Sequence, residues 1–291
     1  MATFLGESSY GKSHVRLTKV TRKGDFHELK EMSVSIQLQG DFDRSYTHGD
    51  NSQVVPTDTM KNTVYAMAAQ HTIDNIESFA AALARHFLTR HSQVHAVSVE
   101  IQQERFERIN TNGKPHEHAF LGGNKEKRVA NIQMRADRLT IESGIEDLVV
   151  LKTGNSEFSG FVRDEYTSLA DTHDRIFATS VIARWTYNRQ NADYDLNHAK
   201  IKQIIIDVFA THKSLAVQQT LYEMGKVVLE QCADVDEIRL SMPNQHRLPV
   251  DLSGFGLPNK NEIFVPTAEP FGLISASMVR TPSKRIAGAT A

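Results

Sequence analysis

Several short stretches of this chain carry residue types at spacings that chemistry uses. Gly6-Glu-Ser-Ser-Tyr-Gly11-Lys12-Ser13 fits the pattern of a glycine-rich loop that cradles phosphates. Such a loop needs an apolar strand before it and a helix after it, so that backbone N–H groups converge on the anion. Here five residues precede Gly6, and Val15-Arg-Leu17-Thr-Lys-Val20 alternates like a strand. Nucleotide hydrolysis is therefore set aside, but Lys12 remains of interest as an amine just ahead of a strand. His116-Glu-His118 places two imidazoles at i, i+2, where a strand would turn both to one face and a metal could use them. No third ligand stands at matching spacing, and with 13 histidines in the chain chance neighbours are expected. A loop or sheet-surface role is the better reading.

Thr57 and Asp58 follow Pro56 and precede the helix-like Lys61-Asn62-Thr63-Val64, which fits a hydroxyl and a carboxylate capping a helix. Ser241-Met242-Pro243-Asn244-Gln245-His246 ends an alternating segment in an amide and an imidazole, as a polar turn would. Arg175 follows Asp171-Thr-His-Asp174 and opens a strand, where a surface ion pair is the ordinary expectation. There is no Gly-x-Ser-x-Gly elbow, and Cys232, on a helical tail, has no recognisable partner, so covalent catalysis lacks support. One cysteine also excludes an internal disulfide framework and a multi-cysteine metal or iron–sulfur site.

The elements that must position these groups are legible as periodicities. Met32-Ser-Val34-Ser-Ile36-Gln-Leu38-Gln, Val97–Gln102, Ala130–Met134, Ile238–Met242 and Ile274–Met278 alternate with period two, as antiparallel strands with one wet face do. Helical stripes run through Ile76, Phe79, Ala80, Leu83, Phe87 and Leu88, through Ile201, Ile204, Ile205, Val208 and Phe209, and through Val217, Leu221, Met224 and Val228. Asp74 and Glu77 are placed like a capping box ahead of the first stripe. Both halves read strand, strand, helices, strand, strand. The expected fold is α+β, with two similar units, 1–136 and 137–291, each an antiparallel sheet backed by helices. Non-periodic segments at 41–57, 110–128 and 152–175 are expected to be functional or assembly loops.

Composition sets the outer bounds. The 291 residues hold 33 Lys+Arg and 35 Asp+Glu, a formal net charge of −2, with 40% hydrophobic residues. That is a globular profile with length for about two domains. A near-neutral balance argues against nucleic acid, whose backbone requires a basic excess. No run approaches the roughly 18–20 apolar residues of a membrane span. The N-terminus lacks the build of a signal peptide and the chain ends Ala-Thr-Ala, not in a peroxisomal tripeptide, so a cytoplasmic location is expected. The tail from about Thr281 is rich in small and polar residues and is expected to be flexible.

Taken in order, Tyr10-Gly11-Lys12, Thr57-Asp58 before Lys61-Asn62-Thr63, Val149-Val150-Leu151-Lys152, Ser156-Glu-Phe158-Ser-Gly160-Phe161 leading to Arg163-Asp164-Glu-Tyr166-Thr167, Asp174-Arg175, Val217-Gln218 and Met242-Pro243-Asn244-Gln245-His246 form a set. With this set the chain resembles the urate oxidase (uricase) family, from about Tyr10 to Arg280. The resemblance implies tandem tunnelling-fold (T-fold) units and a homotetramer whose barrel carries active sites at chain interfaces. It implies oxidation of urate by O2 to 5-hydroxyisourate with release of H2O2, using no metal or organic cofactor, O2 being the co-substrate. Within it, Lys12 and Thr57 form a proton relay that His246 extends. Arg175 and Gln218 bind the edges of urate, and Phe158 stacks on its plane. The backbone N–H groups of Val217 and Asp58 meet remaining acceptors, while Asn244 and Thr57 hold O2 and then water. Lys12, Thr57 and Asp58 would come from one chain and the other groups from its neighbour. Arg247-Leu248 stands where relatives commonly carry aromatics, and His173 receives no role. The missing tripeptide favours a bacterial-type cytosolic member. Competing readings are another tunnelling-fold enzyme acting on pterins or purines, and a urate-binding assembly without catalysis.

Overall fold

Alternation in the first half of the chain becomes a sheet whose register stacks like on like. The computed structural model describes residues 3–123, 125–267 and 269–280; the tail from about Thr281 and the chain's last tripeptide lie outside the described residues. The chain divides into two compact units, Met1–Gly144 with Arg189–Asp195, and Ile145–Asn188 with Leu196–Ala291.

The first unit runs β1 (Tyr10–Lys23), β2 (Phe26–Gly40), α1 (Asp43–Thr47), α2 (Thr57–Gln70), α3 (Ile76–Arg90), β3 (Val94–Glu104), β4 (Glu107–Thr111), β5 (Lys114–Leu121) and β6 (Lys127–Arg135). β7 (Leu139–Lys152) then leaves it at Gly144 and enters the second unit at Ile145. β1, β2, β3 and β6 pair antiparallel in that order. Ile36 lies opposite Val99 and Val99 opposite Ile132, while Leu38, Val97 and Met134 make the next row. Ile36, Val99 and Ile132 are fully buried, so a slip of one residue would turn this whole face to water. The face is covered by α3, whose Ile76, Phe79, Ala80, Leu83 and Phe87 are buried, each large side chain contributing about 1.5–3 kcal/mol of transfer free energy. α2 packs on β1.

Two expectations are corrected here. The N-cap of α3 is Asn75, whose Oδ1 accepts from Ser78 N at 2.9 Å. Glu77 is not part of a capping box, because the helix starts one residue later than expected and turns Glu77 inward to Ser143 and Arg128. Segment 110–128 is not a loop, since it holds β5 and the end of β4, paired through a turn at Asn112-Gly113. Both turn residues have positive φ, 53° and 76°, as the two-residue turn favoured in hairpins requires. Within 41–57, α1 is a short helix.

The second unit contains β8 (Phe177–Tyr187), α4 (Tyr194–Thr211), α5 (Val217–Gln231), β9 (Val235–Pro243), β10 (Arg247–Pro249), a 3-10 turn at Ser253–Phe255, β11 (Phe264–Pro266) and β12 (Leu273–Val279). The first two residues of α4 belong to the first unit. β8, β9 and β12 pair antiparallel in that order, with Ala183 opposite Leu240 and Leu240 opposite Ala276. α5 lies on β9 and β12 and buries Val217, Leu221, Met224 and Val228, the stripe read from the sequence. β10 pairs with β11 as a separate two-stranded ribbon. Segment 152–175 is held by isolated bridges, Ser156 with Ser214 and Phe158 with Thr172. No helix among the described residues is long and apolar enough to cross a membrane.

Candidate active site

In the first unit the groups of interest sit at one end of β1 and at the start of α2. Lys12 lies opposite Ile36 of β2, and the pairing is irregular between Lys12 and Val15, where His14 adopts φ 55°. A bulge of this kind re-aims the neighbouring side chains. Thr57 and Asp58 are the first two residues of α2 and are exposed. The N-cap is Pro56, with no side-chain cap bond, so Thr57 and Asp58 do not cap the helix. Their backbone N–H groups are among the orphan donors that every helix start presents. The Asp58 carboxylate instead takes Lys61 Nζ at 2.5 Å and Asn62 Nδ2 at 2.9 Å. The hydrogen bond from Lys61 holds its pKa below the usual carboxylate value, and the charge of Lys12 adds a smaller lowering.

In the second unit, Phe158, Arg175, Asn244 and His246 line one cavity of about 260 Å³, together with Leu169 and Phe264. The Arg175 guanidinium carbon stands 5.2 Å from the Phe158 ring centroid, and Phe158 stacks on Phe161 at 4.9 Å. Burial pushes the Arg175 pKa down from its ordinary value. An arginine nevertheless stays charged at any working pH. Arg175 Nη2 and Asn244 Oδ1 are both buried without a hydrogen-bond partner. A buried donor and a buried acceptor left over in one cavity are each destabilising by about 1–3 kcal/mol, which a polar ligand would offset.

The backbone around this cavity is firmly pinned. Asn244 N donates to Gly272 O and Gln245 N to Ala178 O, both at 2.9 Å. Thr179 bridges to Asn244, and its hydroxyl donates to Pro243 O at 2.9 Å. The His246 carbonyl accepts from Thr267 N at 3.0 Å and from Arg247 Nη1 at 3.0 Å. Arg247 therefore folds back onto the Gln245 and His246 carbonyls and braces the turn that carries His246. His173 faces Glu157 at 3.5 Å, which also pairs with Lys213 at 2.6 Å.

Val217 and Gln218 open α5 and do not line the cavity; the Val217 side chain is buried and Gln218 is exposed. They connect to it through the backbone, since Glu157 N donates to Ser214 O at 2.7 Å and Ser214 N to Asn155 O at 3.1 Å. Sequence reasoning about chemistry passed over Ser156, Ser214, Leu169, Asn261 and Phe264, the last three of which line the cavity. Ser156 alone had a signal, as the first residue of the Ser-x-Phe stretch.

The remaining motifs carry no site. β1 begins at Tyr10, inside the glycine pattern, and leaves no helix to close a phosphate loop. His116 and His118 rings lie 4.8 Å apart, yet among the described residues no group of three His, Cys, Asp or Glu could hold a metal ion. Cys232 is buried, and that burial raises its thiol pKa, away from the reactive thiolate.

Comparison with known proteins identifies the family. The family model described as Uricase matches residues 8–133 and 141–275. A uricase of Arthrobacter globiformis is 44% identical over 280 residues, covering 96% of this chain and 91% of the relative, and one of Danio rerio is 38% identical with 96% of each covered. The crystal structure of the Arthrobacter globiformis uricase superposes with a TM-score of 0.93, covering 98% of this chain and 97% of that one. The urate oxidase of Bacillus sp. TB-90 gives 0.84 at 25% identity, with 94% and 100% covered. The α+β architecture agrees with these matches, and the chain belongs to the uricase family.

Proposed function

We propose that this chain is a urate oxidase that converts urate, O2 and water to 5-hydroxyisourate and H2O2. Urate is a flat anion with carbonyl and N–H edges. Arg175 meets one such edge with charge and paired donors, and Gln218 offers a donor and an acceptor to the next. Phe158 stacks on the ring, and the N–H groups of Val217 and Asp58 take remaining acceptors. Lys12 and Thr57 remove the proton whose loss makes urate electron-rich, and His246 extends that relay. Asn244 and Thr57 hold O2 above the ring, and then the water that attacks the oxidised ring. The ring loses two electrons to O2, which leaves as H2O2 with two protons.

The reading includes a homotetramer of tandem T-fold units, about 1–136 and 137–291, in which Lys12, Thr57 and Asp58 of one chain complete a site with the other groups of a neighbour. It needs no metal or organic cofactor, and we place the reaction in the cytoplasm. The observation that supports it best is the pair of buried, unpartnered polar atoms, Arg175 Nη2 and Asn244 Oδ1, in one cavity beside His246.

The test follows urate absorbance and peroxide on metal-stripped protein. Aerobic turnover is expected, and its absence would sink the proposal. Urate binding without O2 uptake would indicate a binding protein instead. Arg175→Ala is expected mainly to raise KM, whereas Lys12→Met and Thr57→Ala mainly lower kcat.

A further inference from the structure

The guanidinium of Arg175 is held from behind by one hydroxyl. Ser156 is fully buried, and its Oγ lies 3.3 Å from Arg175 Nε. The same residue's carbonyl accepts from Arg175 N at 3.0 Å, so both ends of the arginine are referred to Ser156. A guanidinium can meet a planar partner by its Nε–Nη side or by its two-Nη end. With Nε occupied by Ser156, the side is closed and the end remains. Nη2 is the atom found buried without a partner. No carboxylate among the described residues pairs with Arg175 to compete for it.

Ser156 also bridges to Ser214, the fully buried residue just ahead of α5. Ser214 Oγ donates to Ala216 O at 3.2 Å, and Thr220 Oγ1 donates to Ser214 Oγ at 2.8 Å. The pair of serines thus joins the segment that carries Arg175 to the turn from which Val217 and Gln218 start.

We propose that Ser156 is a positioning residue for the substrate: it locks Arg175 by Nε, so that the Nη end alone faces the anion. By its bridge to Ser214 it also fixes the spacing between that end and Gln218. This deepens the reading above and rests on it. Ser156 touches no reacting atom, so its contribution belongs to binding of the urate anion and not to the proton relay.

The test is a double-mutant cycle on the full-length protein, reading KM, kcat and anaerobic urate affinity. Ser156→Ala is expected to raise KM and the anaerobic Kd about tenfold, the scale of a hydrogen bond to a charged group, with kcat within about twofold. In the Arg175→Ala background the same substitution should change KM by less than about twofold, because the group it positions is gone. Ser156→Cys, nearly the same size but a weak acceptor, should move in the same direction and covers the case in which the alanine variant fails to fold. An unchanged KM, or an equal effect in both backgrounds, would overturn the role of Ser156. Absence of turnover and of urate binding in the unsubstituted protein would instead overturn the functional reading beneath it.

Discussion

Tyr10 Oη closes both backbone groups of Val55, accepting from its N–H at 2.8 Å and donating to its carbonyl at 3.2 Å. The ring stands edge-on to Phe42 at 4.8 Å and 89°, so the phenol has little freedom to move. Burial raises its pKa above the ordinary phenol value. Lys12 lies two residues after Tyr10, and Thr57 two residues after Val55. One side chain therefore ties together the two segments that carry Lys12 and Thr57, two groups of the proposed relay. Tyr10→Phe keeps the ring packing and removes the clamp. We expect kcat to fall about tenfold, the scale of misplaced catalytic groups, while KM stays within about twofold. Steady-state kinetics checks it, and a rise in KM alone would contradict the assignment.

The first unit also contains an ion-pair chain with a buried member. Glu77 is fully buried and bonds Arg128 Nη2 at 2.9 Å and Ser143 Oγ at 2.5 Å, while Arg128 Nη1 reaches Asp195 at 2.5 Å. Removing the cation alone strands a carboxylate away from water. Arg128→Met is expected to destabilise by about 3–5 kcal/mol, whereas the double change with Glu77→Leu should recover most of that. Denaturant or thermal midpoints at equal protein concentration measure the difference. Similar losses for single and double variants would show that the ion pair is not the cause.

Acid sensitivity should arise in part at His212. Burial first, and then the charge of Lys152, lower its pKa below the usual 6.5, and its Nδ1 lies 3.2 Å from Thr220 Oγ1. A base whose pKa is lower in the folded state binds its proton more readily when unfolded. Its stabilising contribution is therefore complete above about pH 6.5 and is lost as the pH falls through that region. His91 acts in the same direction. The thermal midpoint should drop between pH 7.5 and 5.5, and His212→Gln should make the drop shallower. Identical slopes would remove His212 from the account.

Period-two and helical patterns exposed the core because burial on one face imposes them, as the buried rows Ile36–Val99–Ile132 and Trp185–Ile238–Met278 display. The β4–β5 hairpin escaped that reading because most of its side chains are solvent-exposed, leaving only Asn112-Gly113 as a signal. Glu77 departs from the capping-box pattern for a related reason: a carboxylate in a first turn serves a cap or a buried ion pair, and only the partner distinguishes them. Within the cavity, the convergence of Phe158, Arg175, Asn244 and His246 depends on pairings far apart in sequence, such as Thr179 with Asn244. Residue types alone did not contain it.

Two glycines should respond oppositely to the same added methyl. A Cβ on Gly11 would lie 1.8 Å from Ile36 O and 2.8 Å from Gln37 Cα, both backbone atoms of the paired strand. Neither can move without parting β1 from β2 next to Lys12, so Gly11→Ala should shift the proposed relay and lose most turnover. A Cβ on Gly225 would meet Met278 Cε at 1.8 Å, the end of a flexible side chain. Methionine can re-route by rotation, and alanine is favoured over glycine within a helix by about 1 kcal/mol. Gly225→Ala should therefore fold with near-normal kcat and a thermal midpoint within a few degrees of the parent. Measuring both variants side by side separates the two cases, since equal damage would mean that the Met278 end is as immobile as the strand backbone.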